Sequence, residues 1–266
     1  LGDAQHQRLL QASHFFAGLT PNSYAQGASF QTTDLKTAHG TNGMASALVG
    51  MSSASNADEL HTAVDRLILL QSLSFFTGGL PLLYMGDELG LGNTSAEILL
   101  ARQGPDGREL HRPTWQAAHA QLRNQEGTVQ HRIFSTLQSL AKLRQQLDAF
   151  HNDTPVTLKK TELATVLGLQ RGRDLFGLFN FSRQAVTQEL APGQTIALKP
   201  LRNTFKHLEK RFGDKVASRY QEATYDLQPT DNFHYRPTWD PEREIHDVRR
   251  TKIVLKDWYV LKDPRQ

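Results

Sequence analysis

The amino-acid sequence predicts an α/β fold followed by a small antiparallel β domain and an unrelated, mostly helical or irregular tail of different composition. Apolar residues recur at helical spacing in two long segments, a short apolar run follows the first, and glycine-punctuated strands begin near Thr157. The 266 residues include no cysteine, which excludes disulfides and thiolate metal sites and suits a reducing compartment. We therefore expect a cytoplasmic location.

The first long helix is predicted to begin at Asn56, which has the spacing of a helix-capping pair with Glu59. Apolar residues then recur every three or four positions and form one stripe. The stripe consists of Leu60, Val64, Leu67, Leu70 and Leu73. Gly78 and Gly79 are suited to ending this helix, because glycine adopts the left-handed conformation common after a last helical turn.

The run LPLLYMG at 80–86 is predicted to be a strand buried on both faces, because it is short, apolar and bounded by glycines. The uncharged stretch from Leu67 to Met85 has 19 residues, long enough to raise the question of a membrane span. Polar residues dilute it and the sequence GGLP breaks it. We therefore expect a helix followed by a strand, and no membrane partner.

A second helix is predicted over about 129–147, and small antiparallel strands after it. The apolar stripe of this helix consists of Val129, Ile133, Leu137, Leu140 and Leu147. From Thr157 the segments TVLGLQRG and DLFGLFNFS, separated by turn residues, are typical of antiparallel strands.

Composition changes near Pro200. Residues 201–266 contain 14 Lys or Arg and 11 Asp or Glu, and only Gly213 of the 19 glycines lies there. The formal charge of the whole chain is only +3, so we infer no nucleic-acid partner. The change indicates that two different kinds of protein meet at this point.

Gly86, Asp87 and Glu88 directly follow the predicted strand 80–86. In a barrel of alternating strands and helices, the loops that follow the strands hold the substrate. The alternative is that Asp87 or Glu88 only caps the next element.

Four segments in order resemble the amylosucrases and related sucrose hydrolases of the α-amylase superfamily. They are HFFAGLTPNSYAQGASFQ at 14–31, NGMASALVG at 42–50, AVDRLILLQSLSFFTGGLPLLYMGDELG at 63–90 and ELHRPTW at 109–115. The resemblance implies that residues 1–150 are the C-terminal remnant of a (β/α)8 barrel, after its seventh strand. It also implies that residues 151–200 are a truncated C-terminal β domain.

This resemblance implies that Arg112 reaches the base of a glucosyl pocket, where a guanidinium can donate to sugar hydroxyls or pair with a carboxylate. His111, Asp87 and Glu88 are further substrate-binding candidates. The alternative for Arg112 is a surface arginine before a proline. The family's three catalytic carboxylates come from strands upstream of Leu1, so we expect no catalytic residue, no cofactor, no metal and no activity of this chain alone. The implied partner is sucrose or an α-glucan.

The tail resembles the N-terminal arm of the β subunit of phenol and toluene hydroxylases, which are di-iron monooxygenases. The segments that carry this resemblance are RFGDKVASRYQEATYD at 211–226, NFHYRPTWDPEREIHD at 232–247 and DWYVLKDPRQ at 257–266. It implies docking to a hydroxylase α subunit. Aromatic anchors are available at Tyr235, Trp239, Trp258 and Tyr259, and packing within their own domain is the alternative. An artefactual fusion of the two parts would explain both truncations.

Overall fold

A computed structural model describes residues 3–30, 40–96, 108–173, 175–191, 194–211 and 219–225. The chain divides into two units. The first consists of Leu1–Ile68 and Leu83–Phe134, and the second of Leu69–Leu82 and Ser135–Gln266.

The helices of the described residues include two long ones, α3 and α5. The helices are α1 (Asp3–Phe16), α2 (Ala45–Leu48), α3 (Ala57–Phe76), α4 (Ala117–Gln121) and α5 (Val129–Gln146). Short 3-10 turns occupy Asp87–Leu89, Arg108–His111, Leu122–Asn124 and Asp148–Phe150. Among the described residues, none of these helices combines the length and apolar character that crossing a bilayer requires.

Helix α3 begins as predicted. The Asn56 side chain accepts a hydrogen bond from the Glu59 amide at 2.9 Å, and the Glu59 carboxylate accepts one from the Ser55 amide at 2.8 Å. The hydrogen bonds from Ser55 lower the pKa of Glu59. The predicted stripe is buried at Val64 and Leu67, whereas Leu70 is 44% exposed.

Helix α5 confirms the predicted second helix to within one residue at its C-terminal end. Ile133, Leu137 and Leu140 are buried as expected. In the first unit, an ion pair between Arg132 at the start of α5 and Asp65 links α5 to α3.

Residues 80–84 do not form the predicted strand. This segment carries no strand assignment, and burial alternates along it. Pro81 and Leu83 are buried, whereas Leu82 is 78% exposed. A strand buried on both faces needs a covered surface on each side. The alternation indicates cover on one side only, and Pro81 has no amide hydrogen to donate to a ladder.

The second unit contains the antiparallel strands expected from Thr157 onward. They are β3 (Val156–Lys159), β4 (Val166–Arg171), β5 (Leu175–Asn180), β6 (Val186–Ala191) and β7 (Gln194–Leu198). Strands β6 and β7 form a hairpin. One core cluster joins this hairpin to β4 and β5 through Val166, Phe176, Leu178, Ile196 and Leu198.

Two further strands follow Pro200. Strands β8 (Asn203–Arg211) and β9 (Arg219–Tyr225) extend the main sheet, whose order is β3-β4-β5-β8-β9. Within these two ranges the tail forms strands, and the mostly helical or irregular character of its other residues stays a prediction. A short pair, β1 (Ala28–Ser29) and β2 (Thr41–Asn42), lies in the first unit. The strands of the described residues close no barrel, and the barrel remnant stays a prediction.

Arg171, at the end of β4, is fully buried and donates hydrogen bonds to five main-chain carbonyls. Its Nε donates to Ala149 at 2.7 Å, and its Nη1 group donates to Phe76 and Thr77 at 3.2 and 3.1 Å. Its Nη2 group donates to Phe150 and His151 at 3.2 and 2.9 Å. The five donors of the guanidinium thus meet five acceptors.

A second buried arginine, Arg144 of α5, also binds the end of α3. Its guanidinium donates to the carbonyls of Phe75 and Gly79. Burial, with a smaller effect of the nearby Arg171 charge, lowers the pKa of Arg144 to about 10. Burial also lowers the pKa of Arg171. Both cations lie at the C-terminal end of a helix, where free carbonyls and the helix dipole favour positive charge.

We expect Arg171→Met to destabilise the second unit by roughly 3–5 kcal/mol, because it removes a hydrogen-bond donor from each of five carbonyls. Thermal unfolding and hydrogen exchange of residues 166–180 measure the effect. The control is Arg173→Met, which removes the exposed arginine two residues later. Equal stability of the two variants would contradict a structural role for Arg171.

Candidate functional site

The turn at 86–90 depends on two glycines with positive φ. Gly86 has φ 95° and Gly90 has φ 63°, and they flank the 3-10 turn Asp87–Leu89. A Cβ atom on Gly86 would lie 2.8 Å from Cδ1 of Leu91, and one on Gly90 would lie 2.8 Å from Cδ1 of Ile133. Both positions therefore need glycine for conformation and for space.

This turn buries two adjacent acidic residues. Asp87 is 7% exposed and Glu88 is 1% exposed. The Glu88 carboxylate accepts a hydrogen bond from the Gly86 amide at 2.8 Å. A buried carboxylate needs such donors because losing its water shell is costly. The Glu88 carboxylate thus binds the amide of the residue that precedes its own 3-10 turn, and its assignment to a substrate site stays a prediction.

The segment Arg108–His111 is tied to the chain that leaves this turn. The Thr94 amide donates to the Leu110 carbonyl at 2.8 Å, and the Thr94 hydroxyl donates to the Glu109 carbonyl at 2.6 Å. The His111 ring lies 5.7 Å from the Tyr84 ring in an edge-to-face arrangement. The structure therefore brings His111 close to the segment that enters the acidic turn.

Arg112 forms an ion pair with Glu109. Its Nη1 lies 2.8 Å from Oε1 of Glu109, and the two side chains are 47% and 25% exposed. A pair this exposed contributes at most about 1 kcal/mol. Arg112 thus has a carboxylate partner that the sequence analysis missed. The sequence does contain a signal for this ion pair, since Glu109 and Arg112 have the i, i+3 spacing of helical ion pairs.

Asn93 is a supporting residue that the sequence did not predict. Its side-chain oxygen accepts from the Met44 amide at 2.8 Å, and its side-chain nitrogen donates to the Gln26 carbonyl at 2.6 Å. The Ser46 hydroxyl donates to the Leu91 carbonyl, which adds a further link. Asn93 and Ser46 join segments far apart in sequence, so no local pattern marked them.

The arrangement combines buried carboxylates, a histidine and a partly exposed guanidinium. Carboxylates and guanidinium groups hydrogen-bond hydroxyl-rich ligands. In the described part of the chain, no three His, Asp or Glu side chains are grouped so that they could hold a metal ion. The predicted aromatic anchors Tyr235, Trp239, Trp258 and Tyr259 lie outside the described residues.

A segment of the chain is similar to oxygenase components of phenol 2-monooxygenases. It is 55% identical over 73 residues to the component DmpL of Pseudomonas sp. strain CF600. It is 47% identical over 73 residues to the component MhpL of Acinetobacter pittii strain PHEA-2. Each match covers 27% of this chain and 22% of the relative, so the chain spans about a fifth of the length of these curated relatives.

No known protein-family model matches the chain. The comparisons thus confirm a resemblance to a phenol hydroxylase component over a short segment. Neither of these relatives is a sucrose-acting enzyme, and the resemblance to amylosucrases gains no support from them.

We expect Gly86→Ala to destabilise the first unit by about 1–3 kcal/mol, because alanine is strained at φ 95° and its Cβ meets Leu91. Trp115 packs against the core beside Leu89 and Leu91, so its fluorescence reports on this region. Urea unfolding is followed in a background with Trp239→Phe and Trp258→Phe.

The control is Gly78→Ala, since a Cβ there meets nothing within 4 Å. An unfolding midpoint for Gly86→Ala that matches the parent protein would show that the turn accepts a side chain.

Proposed function

We propose that this chain carries a docking segment of a phenol monooxygenase oxygenase component, and that the segment contains the residues after Pro200. The observation that carries the proposal is 55% identity over 73 residues to such a component. The part of the chain after Pro200 has 66 residues, so a match of 73 residues is long enough to cover it. The aromatic-rich phrases of the tail support the same placement.

The proposed role is structural. A carboxylate-bridged di-iron site needs paired Glu-x-x-His motifs on facing helices, and the sequence contains no such motif. The resemblance to the N-terminal arm of a hydroxylase β subunit implies contact with the α subunit of the same enzyme. Large aromatic side chains are suited to this contact because they dominate the binding energy of many interfaces.

We expect the full chain to bind a purified phenol hydroxylase α subunit, and Trp239→Ala to weaken binding at least about tenfold if this tryptophan is an anchor. Biolayer interferometry at constant salt gives the dissociation constant. The control is Phe181→Ala, which removes an aromatic side chain that is 41% exposed and precedes the tail. No binding by the parent chain, or equal weakening by both substitutions, would reject docking through the tail.

The acidic turn favours a second candidate function, sugar binding at 84–90 and 109–112. We propose that Asp87, Glu88, His111 and Arg112 contribute to a site for sucrose or an α-glucan. The supporting observation is that two buried carboxylates lie on a turn whose flanking segments also hold His111 and Arg112. The proposal is limited to sugar binding.

We expect sucrose to give a calorimetric binding signal that Arg112→Ala abolishes, while fructose release stays at the buffer level. The guanidinium supplies fixed donors for sugar hydroxyls, which alanine cannot replace. The control is Arg183→Ala, an exposed arginine of the second unit. A signal unchanged by Arg112→Ala would remove Arg112 from the site, and fructose release above buffer would overturn the expected inactivity.

A further inference from the structure

Strand β5 lies in the main sheet of the second unit and is wholly buried. All six of its residues, Leu175–Asn180, are buried. On one side β5 pairs with β4 over its full length, from Leu175 opposite Arg171 to Asn180 opposite Val166. The main-chain groups on its other side therefore need partners, because buried and unpaired amides and carbonyls are strongly unfavourable.

Strand β8 supplies those partners. It pairs with β5 in antiparallel register, from Leu175 opposite His207 to Phe179 opposite Asn203. On its far side β8 pairs with β9, from Phe205 opposite Tyr225 to Arg211 opposite Arg219. The residues after Pro200 thus enter the sheet as an interior strand.

The connection into β8 is fixed by hydrogen bonds around the end of β5. The buried Asn180 side chain donates to the carbonyls of Gln184 and Lys199 at 2.7 and 3.0 Å. The Asn180 amide donates to the Arg202 carbonyl at 2.9 Å, and the Leu201 amide donates to the Ser182 carbonyl at 3.0 Å. Leu201 is buried with φ 48°, a conformation rarely adopted by leucine, so the surrounding contacts impose the path across Pro200.

We propose that the edge of β5 opposite β4 is a strand-acceptor site and that residues 203–211 of the same chain are its occupant. The second unit is therefore incomplete without the residues that follow Pro200. These residues have a structural role that is separate from docking to a hydroxylase subunit. The two parts of the chain that differ in composition fold together at this edge.

A cysteine scan tests the register, and the chain suits it because it has no cysteine of its own. Leu178 lies opposite Thr204. Directly opposite residues have their Cβ atoms about 4.5–5.5 Å apart, whereas a shift of one residue places a side chain on the other face. The test pair is Leu178→Cys with Thr204→Cys. The matched controls combine Leu178→Cys with Asn203→Cys or with Phe205→Cys, so all three variants lose the same core side chain.

With oxidised glutathione as the oxidant, we expect an intramolecular disulfide in the test pair only, and a higher Tm for its oxidised than for its reduced form. No disulfide in the test pair, or equal cross-linking in all three, would overturn the proposal. A disulfide between two chains would also overturn it, since the occupant would then be a second copy.

Hydrogen exchange in single-substitution variants without introduced cysteines gives an independent measurement. Strand β8 lies between two strands, so proline at position 206 removes a ladder hydrogen bond on one side or the other. We expect Lys206→Pro to speed exchange in residues 175–180 about tenfold or more, and Lys206→Ala to leave it unchanged. Unchanged exchange in both variants would refute the acceptor role. No hydroxylase subunit is present in these experiments, so their failure is distinct from a failure of docking.

Discussion

The second unit depends on the burial of one guanidinium group. Arg171 contacts carbonyls 94 and 95 residues earlier in the chain at the end of α3, and others 20 to 22 residues earlier in the turn before β3. A buried charge is tolerated only when its donors are matched, and here the matching requires α3, the turn and β4 to meet at one point. Arg144 adds a second cation at the same helix end. These hydrogen bonds fix the end of α3, the turn before β3 and the end of β4 relative to one another.

Aromatic packing also holds the end of α3 in place. The Phe76 ring contacts Phe150 and Phe179 edge to face, with ring centres 5.9 and 5.8 Å apart. A Cβ atom on Gly177 would lie 2.8 Å from the Phe76 ring, so this strand position must be glycine for the ring to reach the sheet. The end of α3 is thus held by main-chain hydrogen bonds and by ring contacts. Strand β5 lies against this support. Because β5 is buried, the main-chain groups on its remaining edge require a partner strand.

Elements set by local sequence patterns were predictable, and contacts between distant segments were not. The Asn56 cap, the face of α5 and strands β4 and β5 follow from spacing within a few residues. The burial of residues 80–84 depends on neighbours that are distant in sequence, so the apolar composition of this segment led to the wrong prediction of a strand buried on both faces. Within the candidate site, Asp87, Glu88, His111 and Arg112 were named from sequence, but Asn93 and the pairing of Arg112 with Glu109 were not. Arg171 lacked any signal, because a charged residue at a strand end ordinarily faces water.

The carbonyl contacts of Arg171 have a consequence for how this sequence can change over evolutionary time. Every residue, proline included, offers the same main-chain oxygen, so the arginine sets no requirement on the side chains of Thr77, Ala149 and His151. Mutations at these positions can accumulate while the path of the backbone is preserved. The arginine itself has no equivalent substitute, because lysine lacks its five-donor fork. Distant homologues can therefore diverge widely around this residue and still retain the same turn geometry.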